Sequence, residues 1–277
     1  MSVKIKRIYS ENNDYQHIEV IKRNREKRNK SKEFFVEGVK SIERAIQNNW
    51  QIISFVYSPQ KKLSNWANDI LHNSMATVHY ELPLELMEKL SDKEESSEII
   101  AIVSMPKNDL SRIKISQDLL IVVFDRPSNY GNLGTIIRSC DSFKADGLII
   151  TGHCVDLYDP QTIRSSMGSL FAIPILKSEP SELLPWLSEI KRNYSDLQII
   201  GTSAKTKQII SDEKLNKPTV LFIGNETEGL SMNYKNFCDH LITIPIYGSA
   251  TSLNVACAAS ICLYEVDRQR RGMKECL

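Results

Sequence analysis

No run of 18 apolar residues occurs in this 277-residue chain, and the opening Met1–Asp14 stretch has no apolar block behind its charges. Neither a membrane span nor a secretory signal is therefore expected. The six cysteines (Cys140, Cys154, Cys238, Cys257, Cys262, Cys276) contain no Cys-x-x-Cys pair, and four lie in or near apolar runs. That usage fits reduced thiols in a cytoplasmic protein and argues against a zinc site; no metal is expected. Glycine and proline are scarce, at 11 and 10 residues, which excludes collagen-like and low-complexity chains. Neither Gly-x-Gly-x-x-Gly nor Gly-Lys-Ser/Thr is present, so dinucleotide-fingerprint and P-loop readings fall away. What remains is ordinary globular composition, 42% hydrophobic and 25% charged, at a length that suits two domains.

Net charge is only +1, but it is unevenly spread. Residues 1–32 hold ten Lys/Arg against four Asp/Glu, whereas the remainder carries 25 against 30. A basic arm ahead of a mildly acidic body is a pattern that can mark phosphate binding, and it is equally the pattern of a solvated terminus. Within it, Ile21–Arg28 has the makings of a helix with one apolar edge.

From Phe34 onward, strand and helix signals alternate. Phe34–Gly38 reads as a strand, and Val39–Asn49 as a helix with apolar residues at Val39, Ile42, Ala45 and Ile46. Strands are expected at 52–58, 78–82 and 99–104, with helices at 63–75 and 84–90. The polar, proline-bearing stretch Met105–Ser111 looks like a boundary. Beyond it stronger strands follow at 119–124, 147–150, 198–201, 219–224 and 241–245. The continuous apolar run Leu119–Phe124 is what a strand covered on both faces requires. The pattern predicts a small α/β domain followed by a second α/β domain with an open parallel sheet, closed by a long apolar helix over Leu253–Arg268.

Ligands in open α/β sheets sit outside the carboxyl ends of the strands, so the loops there are the candidates. The first, Asp125–Gly134, opens into a helix in which Arg138 falls one turn along. The second, Gly224-Asn225-Glu226-Thr227-Glu228-Gly229, is an acidic turn at a strand end, open either to ligand binding or to capping through Asn225 or Thr227. The third, Ile244–Asn254, leads into the terminal helix. There Ser252 is a ready N-cap, and Asn254 is an odd choice for a first helical turn.

In this order and spacing, the three loops resemble the motifs of the SpoU/TrmH family of the SPOUT superfamily, S-adenosylmethionine-dependent RNA 2′-O-ribose methyltransferases. Asn132-Leu133-Gly134-Thr135-Ile136-Ile137-Arg138 is similar to the first motif, Ile223–Leu230 to the second, and Ile244-Pro245-Ile246 with Ser252-Leu253-Asn254 to the third. The segment Asp159–Ser169 is similar to the family segment between the first two motifs. Residues 33–105 resemble the substrate-binding domain of the ribosomal-RNA branch, from Phe35-Val36-Glu37-Gly38 to Ile100–Val103. One departure is Ser96-Ser97-Glu98, where family members commonly carry Pro-x-Gly.

The resemblance implies a trefoil-knotted methyltransferase domain with a parallel sheet over 118–277. An L30e-like α/β RNA-binding domain over 33–108 precedes it, behind the basic arm 1–32. It further implies a cytoplasmic homodimer with a site built from both subunits, acting on RNA, above all large-subunit (23S) ribosomal RNA. Arg138 becomes the central residue, oriented with the ribose by Asn132, Glu226, Ser252 and Asn254, with Glu226 as the natural partner of its guanidinium. Gly224, Ile244 and Leu253 surround S-adenosylmethionine. The same fold would serve a ribosomal antibiotic-resistance methylase or a non-catalytic assembly factor, although loss of catalysis would be expected to erase Arg138, Glu226 or Asn254.

Overall fold

The computed structural model describes residues 3–73, 75–93 and 95–274; Cys276 lies outside them. The chain divides into two compact units, residues 1–107 with 156–172, and residues 108–155 with 173–277.

The first unit begins with β1 (Lys4–Arg7), α1 (Asn13–Arg23) and α2 (Arg25–Ser31), followed by β2 (Glu33–Glu37), α3 (Val39–Gln47) and β3 (Ile52–Tyr57). It continues with α4 (Asn65–His72), β4 (Val78–Glu81), α5 (Leu84–Leu90) and β5 (Ile99–Ser104). The strands form one mixed sheet in the order β1-β4-β3-β5-β2, with β1, β4 and β3 parallel and β5 antiparallel to both its neighbours.

Residues 3–32 are built into this unit rather than standing off it as an arm. Ile8, Tyr15, Ile18 and Ile21 are buried in the core with Phe35, Val56 and Ile102. Asn12 and Asn24 start the two helices by accepting from the amides of Tyr15 and Lys27. Much of the positive charge is already spent on ion pairs: Lys6 with Asp14, Arg7 with Glu81, Lys22 with Asp92 at 2.5 Å, and Arg23 with Glu19. Lys27, Lys30 and Lys32 stay exposed, and none of the three is ion-paired among the described residues.

The second unit contains β6 (Leu120–Asp125), α6 (Tyr130–Ser142) and β7 (Gly147–Thr151). Next in the chain is α7 (Pro160–Ser166), which belongs to the first unit. The second unit resumes with β8 (Ile175–Lys177), α8 (Pro180–Asn193), β9 (Gln198–Thr202), β10 (Thr219–Ile223), α9 (Met232–Phe237), β11 (His240–Ile242) and α10 (Val255–Lys274). Its six strands form a wholly parallel sheet in the order β11-β9-β10-β6-β7-β8. All of β6, β7 and β10 is buried, as two-sided cover demands. The order reverses direction at β6, so the carboxyl ends of β6 and β10 lie side by side where a doubly wound sheet binds ligands.

Within the first unit, residues 156–172 are held by Arg28, whose side chain is 2% exposed. Its Nε and Nη2 donate to Asp156 Oδ2 at 2.9 and 2.6 Å, and its Nη1 donates to the carbonyls of Ile21 and Lys22. In the same unit Phe34, Trp50, Tyr158 and Phe171 form an aromatic cluster, and Trp50 Nε1 donates to the Phe171 carbonyl. Burial pushes the Cys238 and Cys262 thiols up to about 12 and raises Cys140 further, so these cysteines stay protonated.

Candidate active site

The helix α6 begins five residues earlier than the sequence pattern suggests. Asn129 supplies the cap, its Oδ1 accepting from the Asn132 amide at 3.0 Å. Both Gly131 and Gly134 are inside the helix. A Cβ on Gly131 would stand 3.2 Å from the capping oxygen, which accounts for glycine there. Arg138 is consequently more than two turns along the helix, not one.

The third loop is likewise reassigned. The cap of α10 is Asn254, not Ser252: Asn254 Oδ1 accepts from the amides of Ala256 and Cys257 at 2.9 and 3.3 Å. An asparagine that looked misplaced in a helix is well placed one residue before it. Capping fixes the orientation of its amide, and the rest of the site follows. With Oδ1 facing the helix, Asn254 Nδ2 donates to Asn132 Oδ1 at 3.1 Å. The Asn132 amide is thereby oriented too, and its Nδ2 donates to Glu226 Oε1 at 3.2 Å. Glu226 Oε2 accepts from the backbone and hydroxyl of Ser128, the hydroxyl at 2.8 Å. A polarised chain thus runs from a helix N-terminus to a carboxylate, joining all three loops.

Glu226 is therefore occupied by Ser128 and Asn132 rather than by Arg138. The Arg138 side chain is exposed and makes no ion pair or hydrogen bond with any described residue, so the expected Glu226–Arg138 pair does not form within the chain. The physical reason is the helical offset. Asn132 in the first turn of α6 reaches the acidic turn, whereas Arg138, six residues on, projects from another side of the helix. The residues beside it tie α6 to α10, with Ser139 Oγ and Ser260 Oγ 2.7 Å apart and the rings of Phe143 and Tyr264 edge to face at 6.3 Å.

Gly224 ends β10 where the acidic turn folds back. A Cβ there would sit 2.3 Å from the Leu230 nitrogen, so glycine is required for the turn to close. Ile244 is half-buried, while Ser252 and Leu253 are exposed, and Ser252 bonds to no described residue. Between Ile246 and Leu253 no backbone amide donates to a described residue. Free amides over this stretch, together with the apolar side chains of Ile244, Ile246 and Leu253, suit a ligand recognised through main-chain groups and apolar contact, as an adenosine is.

Two neighbours of these residues, Ser128 and Arg126, lie in the first candidate loop but outside the motifs, so the sequence assigns them no role. Arg126 donates to Asp125, to the Gly229 carbonyl and to Glu228, and its hydrogen bonds to Asp125 hold its pKa above the usual guanidinium value. A non-glycine residue with φ of +52° would have marked it, but dihedrals are not written in a sequence.

The SpoU rRNA Methylase family model matches residues 119–264, and the SpoU L30e-like domain model matches residues 12–101. The chain is 40% identical over 267 residues to the 23S rRNA (uridine(2479)-2′-O)-methyltransferase of Streptomyces viridochromogenes, covering 96% of this chain and 93% of that protein. It is 30% identical over 193 residues to the 23S rRNA (guanosine-2′-O-)-methyltransferase RlmB of Haemophilus influenzae, covering 68% of this chain and 77% of that one. Among solved structures it superposes on the SpoU methyltransferase AviRb from Streptomyces viridochromogenes in complex with the cofactor AdoMet. The TM-score is 0.89 at 39% identity, over 94% of this chain and 98% of that one. An L30e-like domain followed by a parallel-sheet methylase domain, with all three motifs in place at the strand ends, identifies the protein: it belongs to the SpoU rRNA methylase family.

Proposed function

We propose that this protein transfers the methyl group of S-adenosylmethionine to a ribose 2′-hydroxyl of 23S ribosomal RNA, at a uridine. The observation that carries the reading is the hydrogen-bonded chain Asn254–Asn132–Glu226–Ser128, which joins all three family motifs, together with an Arg138 side chain that has no partner among the described residues. The uridine rests on the relative matched over nearly its whole length.

When bound, S-adenosylmethionine supplies an electrophilic methyl on a sulfonium sulfur. The remaining difficulty is the nucleophile, because a ribose hydroxyl is barely ionised near neutral pH. Arg138 meets it with charge: its guanidinium holds the target phosphate and stabilises the developing alkoxide, while the proton leaves to phosphate or water. Arginine itself rarely gives up a proton, so it is not the base. Asn132, Glu226 and Asn254 form the rigid wall against which the ribose is set, with Ser252 at its edge. Gly224, Ile244 and Leu253 border the cofactor.

The enzyme works as a cytoplasmic homodimer in this reading. Cys257, Ile261 and Tyr264 recur at helical spacing on the exposed side of α10, an apolar stripe suited to a second copy. Arg138, without a partner in its own chain, then serves the site completed by the other subunit. The C-terminal segment is tucked through a loop as the family's trefoil knot, the methyltransferase domain is the second unit, residues 108–155 with 173–277, and the RNA-binding domain is the first.

Incubating the purified protein with tritiated S-adenosylmethionine and unmodified 23S rRNA, then mapping the 2′-O-methyl position, is the direct test. One labelled uridine is expected; no label in RNA overturns the reading. RNA grip is expected to come from the exposed lysines of the first unit. Replacing Lys27, Lys30 and Lys32 together with glutamine should reduce the slope of log affinity against log salt by about 2 to 3, at roughly 0.7–0.9 per phosphate contact. An unchanged slope means these lysines face only water.

A further inference from the structure

We propose that Arg126 is a positioning residue of the methyl-transfer site, clamping the 225–229 turn so that Glu226 meets Ser128 and Asn132. The inference rests on the function proposed above and adds a residue outside its motifs.

Arg126 stands at the carboxyl end of β6 with φ of +52°, a conformation that L side chains rarely adopt and that persists only where the surroundings enforce it. They do so from both sides. The Arg126 amide donates to the Thr151 carbonyl at 3.1 Å, and its carbonyl accepts from Asn225 Nδ2 at 2.8 Å. Room for the side chain is reserved at Gly152, where a Cβ would stand 2.8 Å from Arg126 Cγ. A surface arginine placed for solubility requires none of this.

The guanidinium spans two walls. On one side Nε and Nη2 donate to the two carboxylate oxygens of Asp125, each at 3.2 Å. Asp125 is 2% exposed and is fixed in turn by Thr151 Oγ1 and the Ser231 amide. On the other side Nη2 donates to the Gly229 carbonyl at 3.0 Å, and Nη1 pairs with Glu228. The fork shape of arginine is what allows one side chain to serve both walls, which the single ammonium of lysine does not reproduce.

Besides the Asn225 amide on the Arg126 carbonyl, the turn is held mainly by hydrogen bonds within itself. Asn225 and Gly229 exchange backbone hydrogen bonds at 3.2 and 3.0 Å, and Asn225 Oδ1 accepts from the amides of Thr227 and Glu228. Glu226 lies between those two anchor points, so any swing of the turn carries its carboxylate away from Ser128 and Asn132. An exposed Arg126–Glu228 pair alone would be weak. The Asp125 and Gly229 contacts make the clamp.

A double-mutant cycle with a structural readout tests it. Arg126→Gln should lower kcat about 10- to 100-fold, the scale of a misplaced catalytic group. It should have no further effect in a Glu226→Gln background, because it acts through Glu226. In the free protein, the Asn225 and Gly229 amides should exchange hydrogen faster in Arg126→Gln, while those of β6 and β10 keep their rates. Arg126→Lys, which keeps a cation beside Asp125, should fall between wild type and Arg126→Gln in both readouts; it carries the test if Arg126→Gln does not fold. Multiplicative losses in the double mutant, or unchanged exchange in the turn, overturn the proposal. If the wild-type protein labels no RNA, the proposed function fails, and hydrogen exchange still decides whether Arg126 clamps the turn.

Discussion

Replacing Arg138 with alanine is expected to lower methyl transfer to RNA by at least about 100-fold, the loss typical of removing one preorganised charge donor at a transition state. The fold should not notice. The Arg138 side chain is exposed on α6 and bonds to no described residue, and alanine is the better helix former. A surface change of this kind stays within about 0.5 kcal/mol, or roughly 2 °C in melting temperature. The combination is diagnostic because most inactivating substitutions also destabilise. Arg138→Lys should recover part of the rate, keeping the charge while losing the bidentate fork. Tritiated-methyl incorporation alongside thermal melting measures both quantities. Undiminished turnover in Arg138→Ala removes the residue from the mechanism.

The second large effect concerns stability. Arg28→Ala should destabilise the protein by about 3–5 kcal/mol, because it leaves a buried carboxylate at Asp156 without its partner. It also strips the carbonyls of Ile21 and Lys22 of a charged donor. For a unit of this size, that corresponds to a drop in melting temperature on the order of 10 °C or more. Adding Asp156→Asn to Arg28→Ala should restore part of the loss, since a neutral amide is cheaper to bury than an unpaired charge. A melting temperature within about 2 °C of wild type would show that the site is open to water rather than sealed. Arg28 and Arg138 are thus opposite cases of one residue type, the first structural and spent, the second idle in the fold and available to RNA.

That contrast shows where a linear reading succeeds. Alternating strands and helices, the strand-end loops and the residues Asn132, Glu226 and Asn254 are all legible, because they depend on local periodicity and on motif spacing. The same pattern leaves β1 invisible. It is four residues long, at a sheet edge and largely exposed, so it shows no alternation of apolar and polar positions. The ten basic residues of the first 32 look alike in the sequence, yet Lys22 and Arg28 are buried and paired while Lys27, Lys30 and Lys32 face solvent. Which charge is neutralised depends on Asp92 and Asp156, far along the chain.

Composition, strand periodicity and the three motifs by themselves determined that this chain is a two-part α/β protein of the SpoU family. Tertiary structure alone decided that Glu226 answers to Asn132 and Ser128 rather than to Arg138, and that Arg126 takes a left-handed backbone against Gly152. The reason is range. Periodicity and capping act over a few residues, whereas each of those decisions joins groups from separate strand ends, roughly 25 to 125 positions apart, through the register of a parallel sheet.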